Sequence, residues 1–239
     1  HWAEVVPRVT SAAIAAARAA GATVMIPGNV YNYGAGLPLV LREDTPWRAD
    51  TRKADIRIRM ENTYRDSDVR TIVLRGGDFI EAAKTGNWFD TYIAPKAQQG
   101  RMTYPGPLDQ PHAWAYLPDM ARAMVELAAR RAQFSGFEEF GFEGFGLTGA
   151  ALVNRGAQAV GRPMRVSRLP WFAVRVMALW SPLMRETLEM RYIWHKPHVI
   201  DGAKLRRTLP AFRATPLEEA IREAVGGHTD AYAAAPARV

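Results

Sequence analysis

The sequence predicts an α/β fold, a parallel β-sheet covered by helices. Residues 22–26 (ATVMI) and 69–75 (VRTIVLR) are largely apolar, as strands buried on both faces are. Each follows a stretch with helical spacing, 3–20 and 51–65, so the first 77 residues read helix–strand–helix–strand. Each strand is closed by turn formers, Pro27-Gly28 and Gly76-Gly77.

The elements follow in order. In 3–20, Val5, Val6, Val9, Ala13, Ile14 and Ala17 recur at helical spacing, Pro7 is placed in the first turn, and Gly21 is a natural stop. Residues 32–50 read as a loop, and the helix of 51–65 turns Ile56, Met60 and Tyr64 to one face. Residues 78–118 read as mostly irregular and rich in aromatics. Asp119 is expected to cap a helix to Arg131 with Met120, Met124 and Leu127 inward. A strand and turn are expected over 134–147, then a helix capped by Thr148 to Val160 and a short strand over 164–169. Two helices divided by Pro182 are expected over 170–194. Thr215-Pro216-Leu217-Glu218 spells a capping box for a helix to Val225 that stops at Gly226-Gly227. The expected organisation is a sheet domain over 1–135, a C-terminal subdomain over 136–227 and a disordered tail over 228–239.

Composition narrows the function. The 239 residues carry 31 Lys+Arg and 24 Asp+Glu, a net charge of +7, and no Cys. Disulfides, thiolate metal sites and a Cys nucleophile are therefore excluded. No uninterrupted apolar run reaches about 18 residues, so no membrane span is expected. The cations are mostly Arg and scattered, unlike the dense patch of a nucleic-acid binder, although Arg suits small anionic ligands. Trp171, Phe172, Trp180 and Trp194 stand among Arg175, Arg185 and Arg191, which reads as an internal or dimer-facing helix pair rather than a membrane-surface element. A homodimer and a cytoplasmic location are the corresponding expectations.

Several local patterns read as incidental. Gly144-Phe-Gly146-Leu-Thr-Gly149 has the letters of a dinucleotide loop, but the acidic stretch 137–143 before it does not read as a buried strand. Tyr92 and Lys96 have a Tyr-x-x-x-Lys spacing interrupted by Pro95, and His195 and His198 flank Pro197, so neither pair fits one helix face. No metal site is expected. The promising region is where the two apolar strands end. Pro27, Gly28, Asn29, Tyr31 and Tyr33 follow the first, and Gly77, Asp78 and Phe79 follow the second. Ligands of open α/β sheets bind at that edge.

At these residues the sequence resembles the extended and atypical short-chain dehydrogenase/reductase superfamily, the NAD(P)-dependent epimerase/dehydratase group. The likeness is carried by VMIPGNVYNYG (24–34), EDTP (43–46) with TRKADIRIRME (51–61), RTIVLRGGDF (70–79), HAWAYLPDMARAMVEL (112–127) and VIDGAKLRRTLPAFRATPLEEAI (199–221). The resemblance implies a Rossmann-type doubly wound sheet with a small C-terminal α/β substrate subdomain. It also implies that the family's N-terminal Gly-rich half would lie upstream of His1. The family's Tyr-x-x-x-Lys pair aligns with Lys53 and Arg57, and its Ser with Pro27 or Gly28, so neither Tyr nor Ser is kept.

The implied activity is an NAD- or NADP-dependent oxidoreductase or epimerase/dehydratase acting on a small carbonyl or hydroxyl compound, a nucleotide sugar among the options. The alternative is a regulator resembling the NmrA-like branch, which senses NAD(P) without turnover. Lys53, Tyr31 and Arg57 are the catalytic candidates, since repulsion from Arg57 would favour the neutral form of Lys53. Pro27, Gly28, Asn29, Gly77, Asp78 and Phe79 are the cofactor candidates. Tyr33, Asn87, Trp88, Arg101, His112, Trp114 and Tyr116 are the substrate candidates, the last three because alternation puts them on one side of an extended segment.

Overall fold

The computed structural model describes residues 2–226. The tail expected over 228–239 lies outside the described residues. The chain runs α1 (Trp2–Ala20), β1 (Val24–Gly28), β2 (Val40–Leu41), α2 (Arg52–Arg65), β3 (Thr71–Arg75), β4 (Asp78–Ile80), β5 (Arg101–Tyr104), β6 (Pro111–Tyr116) and α3 (Leu117–Ala129). It continues through β7 (Phe137–Gly141), β8 (Phe145–Thr148), α4 (Gly149–Val160), β9 (Arg165–Arg168), α5 (Trp171–Met177) and α6 (Pro182–Glu189). The last elements are α7 (Arg191–His195), β10 (Val199–Ile200), α8 (Ala203–Thr208) and α9 (Leu217–Gly226).

β1, β3 and β7 form a parallel sheet in that order. The alternation of side chains along β3 explains its unbroken apolar character. Val73 enters one core with Ile14, Ala17 and Tyr64 of α1 and α2, while Ile72 and Leu74 enter another with Met120, Ala123 and Leu127 of α3. Helices therefore cover both faces, as the sequence predicts.

The second sheet, β4-β6-β8, pairs β4 with β6 in parallel and β6 with β8 antiparallel. Its core gathers Ile80, Phe89 and Trp114 with Leu152 and Val153 of α4 and Ala220, Ile221, Ala224 and Val225 of α9. β5 pairs with β9 and β2 with β10.

The structure departs from expectation at identifiable places. The first strand extends through Pro27 and Gly28. Proline is tolerated because β1 has a sheet neighbour only in β3 among the described residues. The acidic stretch starting at Phe137 is β7, a strand of the first sheet that pairs in parallel with β3. Its charges are compatible with that place because Glu139 pairs with Arg75 and Glu138 with Lys204. α3 starts before Asp119, whose carboxylate accepts from Arg122 and from both N and Oγ1 of Thr215. The Thr215 hydroxyl donates to Asp119, and no capping bond from the first turn of α9 to it is present among the described residues. Residues 170–194 form three helices, because Ser181 caps α6 and the chain turns again at Met190.

Candidate functional site

Two cavities meet where β1 and β3 end. The first, about 330 Å³, is lined by Pro27, Gly28, Asn29, Val30 and Tyr31 after β1, by Gly76, Gly77, Asp78 and Phe79 after β3, and by Gly86, Asn87 and Trp88. The second, about 440 Å³, lies between α2 and α6, with Lys53, Tyr92, Leu183, Glu186, Thr187 and Met190 in its wall. Tyr31, Gly86 and Trp88 belong to both walls.

The local backbone sets this geometry. Asn29 Oδ1 accepts from Tyr31 N at 3.1 Å and starts a single 3₁₀ turn over Val30–Tyr33. That turn sends Tyr31 to the cavities. Tyr33 instead goes into the core, where its hydroxyl donates to the carbonyl of Arg42. Burial, then the nearby Asp78 charge, pushes the Tyr31 phenol well above the ordinary tyrosine range. Tyr31 thus keeps its proton and is not a phenolate.

A buried ionic strap fixes the same loop from beneath. Arg75 Nη1 donates to the carbonyl of Asn29 at 2.6 Å, while its other nitrogens hold Glu61 and Glu139, both at 2.6 Å. Arg57 donates to the carbonyl of Pro27 at 3.1 Å and lies 3.5 Å from Glu61. Burial holds the Arg57 guanidinium below its ordinary value, although Glu61 opposes the shift. Arg57 supports the loop and lines neither cavity.

Lys53 is placed differently from the sequence expectation. Its ammonium contacts a Glu186 carboxylate oxygen, the carbonyl of Glu186 at 3.0 Å and Glu189 at 3.4 Å. Burial raises the proton affinity of Glu186, but Lys53 and Arg52 outweigh it and hold the carboxyl below its usual range. Lys53 is therefore an ion-paired wall residue. The two glutamates were missed, yet α6 carries them at i and i+3, a spacing that puts both toward one neighbour.

Asp78 is the acidic group of the first cavity, and it is backed by a buried aromatic stack. His112 Nε2 donates to Asp78 Oδ2 at 2.7 Å. The His112 ring lies flat on Trp194, 4.2 Å away at 2°, with His198 edge-on at 4.6 Å. His198 Nδ1 is 2.9 Å from the carbonyl of Lys196, and its Nε2 has no partner among the described residues. Burial, and then the adjacent His112, push His198 down to about 3. His112 thus reaches the cavity only through Asp78.

The remaining substrate candidates divide. Asn87 and Trp88 line the first cavity, and Trp88 is packed against Tyr92 at 4.8 Å and Trp194 at 5.1 Å. Trp114 is wholly inside the core of the second sheet. Tyr116 hydrogen-bonds Glu223 of α9 and borders a separate cavity of about 180 Å³ with Phe142 and Arg206. Arg101 is exposed on β5, which is occupied by pairing with β9. His112, Trp114 and Tyr116 alternate along β6, yet none of the three lines either of the two strand-end cavities.

The Gly-rich run at 144–149 is not a cradle. A Cβ on Gly144 would lie 2.0 Å from the Trp114 carbonyl oxygen, one on Gly146 would meet Val199, and one on Gly149 would meet the Tyr104 ring. Thr148 Oγ1 accepts from Ala151 N and caps α4. Among the described residues no His, Asp or Glu group could hold a metal ion, and no helix is long and apolar enough to cross a membrane.

No family profile matches the chain, and no curated protein does. Solved structures do match. A human epimerase family protein crystallised with NADPH aligns over 94% of this chain and 74% of its own, with a TM-score of 0.70 and 17% identity. UDP-glucose 4-epimerase from Bifidobacterium longum, in complex with NAD⁺ and UDP, aligns over 93% and 68% with a TM-score of 0.70 and 14% identity. RMD from Pseudomonas aeruginosa, complexed with NADPH, aligns over 91% and 70% with a TM-score of 0.67 and 14% identity. The chain spans between 62% and 74% of the length of such structures. Its fold is the Rossmann-like fold of these epimerase and dehydratase structures.

Proposed function

We propose that this chain forms the nicotinamide and substrate half of an NAD(P)-dependent oxidoreductase or epimerase/dehydratase for a small carbonyl or hydroxyl compound. The observation that carries the reading is the shared wall of the two cavities: Tyr31 and Trp88 border both, at the ends of two parallel strands. The first cavity fits a flat ring with its ribose. Its walls are small at Gly28, Gly76 and Gly77, and polar at Asn29, Asp78 and Asn87. No Gly-rich strand-to-helix turn among the described residues fits a pyrophosphate, so the reading concerns the nicotinamide end alone.

A nicotinamide held there supplies a hydride acceptor or donor. The chain supplies position and protons. Tyr31, kept protonated by burial, presents its hydroxyl to a substrate oxygen at the junction of the cavities. Asp78 takes up or returns the proton, and His112 fixes the carboxylate through its 2.7 Å hydrogen bond. Lys53, neutralised by Glu186 and Glu189, forms a polar floor for the substrate cavity.

The test is a fluorescence titration with NADPH and NADH, followed by turnover of a carbonyl panel. Bound cofactor with turnover supports the enzyme. Tyr31→Phe and Asp78→Asn should each lower turnover by about 10²- to 10⁴-fold with cofactor binding retained. Cofactor binding without turnover on any carbonyl would favour the NAD(P)-sensing alternative. No binding of either nucleotide would overturn the reading for this chain.

A further inference from the structure

The α5–α6 hairpin exposes more apolar surface than its size accounts for. Phe172 is 80% exposed, Trp180 76%, Leu179 69% and Leu183 65%, with Val176 and Met177 beside them at 39% and 46%. Only Val174, Ala178 and Thr187 of the hairpin are turned fully inward. The helix pair is therefore not internal, contrary to one sequence expectation. Soluble proteins seldom leave so contiguous a set of large apolar side chains in water without a partner.

The charge around it selects the partner. From Arg162 to Arg185 the chain carries five arginines, Arg162, Arg165, Arg168, Arg175 and Arg185, and no carboxylate. All five are exposed, and none forms an ion pair among the described residues. A second copy docked through this face about a twofold axis would bring Arg175 and Arg185 of the two hairpins together, while the acids of α6, Glu186 and Glu189, are already engaged by Lys53 and Arg52. An anionic bilayer surface complements both features, since aromatic and Leu side chains enter the headgroup boundary while guanidinium groups stay at the phosphates.

The hairpin is also joined to the candidate substrate cavity. Leu183 is part of the exposed apolar set and of the wall of the 440 Å³ cavity, and Pro182, Glu186 and Thr187 of the same helix line that cavity too. An opening placed there draws its ligand from the surface on which the hairpin lies.

We propose that the α5–α6 hairpin docks this chain on an anionic lipid surface, and that the cavity beneath it takes an amphiphile with an apolar tail from that surface. The amphiphile clause rests on the proposed function, whereas the docking clause does not.

Co-sedimentation of the 239-residue chain with phosphatidylcholine vesicles, and with equimolar phosphatidylcholine and phosphatidylglycerol, tests the docking. Binding is expected only to the anionic vesicles and should weaken with salt. A Phe172→Ser/Trp180→Ser/Leu183→Ser variant should lose affinity by about tenfold or more, and an Arg168→Gln/Arg175→Gln/Arg185→Gln variant comparably. All six residues are exposed, and the one internal side-chain hydrogen bond they make among the described residues is from Arg185 to the Ala178 carbonyl, so circular dichroism should report both variants as folded. No binding to anionic vesicles by the folded wild type would overturn the proposal. So would a concentration-dependent dimer abolished by the Ser variant, which would assign the face to a second copy. Dodecanal and butanal then probe the cavity through quenching of tryptophan fluorescence. Tighter binding of dodecanal supports the amphiphile clause, and equal binding overturns it. NADPH titration without vesicles fails only if the proposed function fails, so the two failures are distinguishable.

Discussion

Arg75 lies fully buried between Glu61 and Glu139, with one nitrogen committed to the carbonyl of Asn29. Burial alone would disfavour its charge, yet the two carboxylates raise its proton affinity above the ordinary arginine value. Removing the guanidinium would strand two buried carboxylates. Arg75→Met is expected to destabilise the fold by about 3–5 kcal/mol in urea unfolding, and Arg75→Lys to recover little, since one ammonium cannot reproduce the fork. A second residue-scale prediction concerns His198, whose folded value of about 3 lies below the free value of 6.5. Between those values the unfolded chain takes a proton that the folded chain refuses. This contribution to stability is complete above about pH 6.5 and is lost as pH falls toward 3. Replacing His198 with Asn should therefore reduce the drop in thermal midpoint between about pH 7 and about pH 5. An unchanged drop would contradict the burial argument. Neither residue announced itself in the sequence. Arg75 reads as the charged end of an apolar strand, and its partners are 14 and 64 residues away. Pairing over such distances is set by the packing of α2 and β7 against β3.

At the scale of elements, legibility followed local chemistry. α2 was readable because Thr51 caps it through Ala54 N and Ile56 and Tyr64 recur on its buried face. The convergence of the two strand ends was readable because parallel neighbours finish at one edge, and Pro27 to Tyr31 and Gly77 to Phe79 line one cavity. β7 was readable as a strand but not as a member of the first sheet, since its glutamates mimic a solvated segment until Arg75 and Lys204 are known to meet them. Nor was the floor of the second cavity, which comes from α6, more than 130 residues from the Lys53 it contacts. The Gly144 turn carries the prediction at this scale. Its φ is +52°, and a Cβ would strike the carbonyl oxygen of Trp114, a backbone atom that cannot swing aside. Gly144→Ala should lower stability by about 2 kcal/mol or more, read as a fall in thermal midpoint. Because the turn lies outside both cavities, affinity for NADPH, where present, should not change.

At the scale of the whole molecule, the sequence suggested a boundary near residue 135, and the packing argues for a single cooperative unit. β7 lies beyond that boundary yet completes the first sheet by pairing with β3 along its whole length. The largest core cluster joins Ile80, Phe89 and Trp114 to Leu152, Ile221 and Val225, so it exists only when both halves are present. Polar ties cross the same line. Gln98 Nε2 donates to the carbonyl of Val225 at 2.7 Å, and Asp119 accepts from Thr215 N at 2.6 Å and from Thr215 Oγ1 at 2.7 Å. Opening either half would expose the apolar face of the other and remove both Thr215 hydrogen bonds from Asp119, so an intermediate with one half folded carries a large penalty. Urea unfolding followed by far-ultraviolet circular dichroism and by tryptophan fluorescence should therefore give coincident transitions. Fluorescence reports mainly on the cluster of Trp88, Trp114, Trp171 and Trp194, and circular dichroism on all the helices. If the two curves separated, with helix content persisting after the tryptophan cluster had opened, the halves would be independent. The shared core could not then be the principal source of stability.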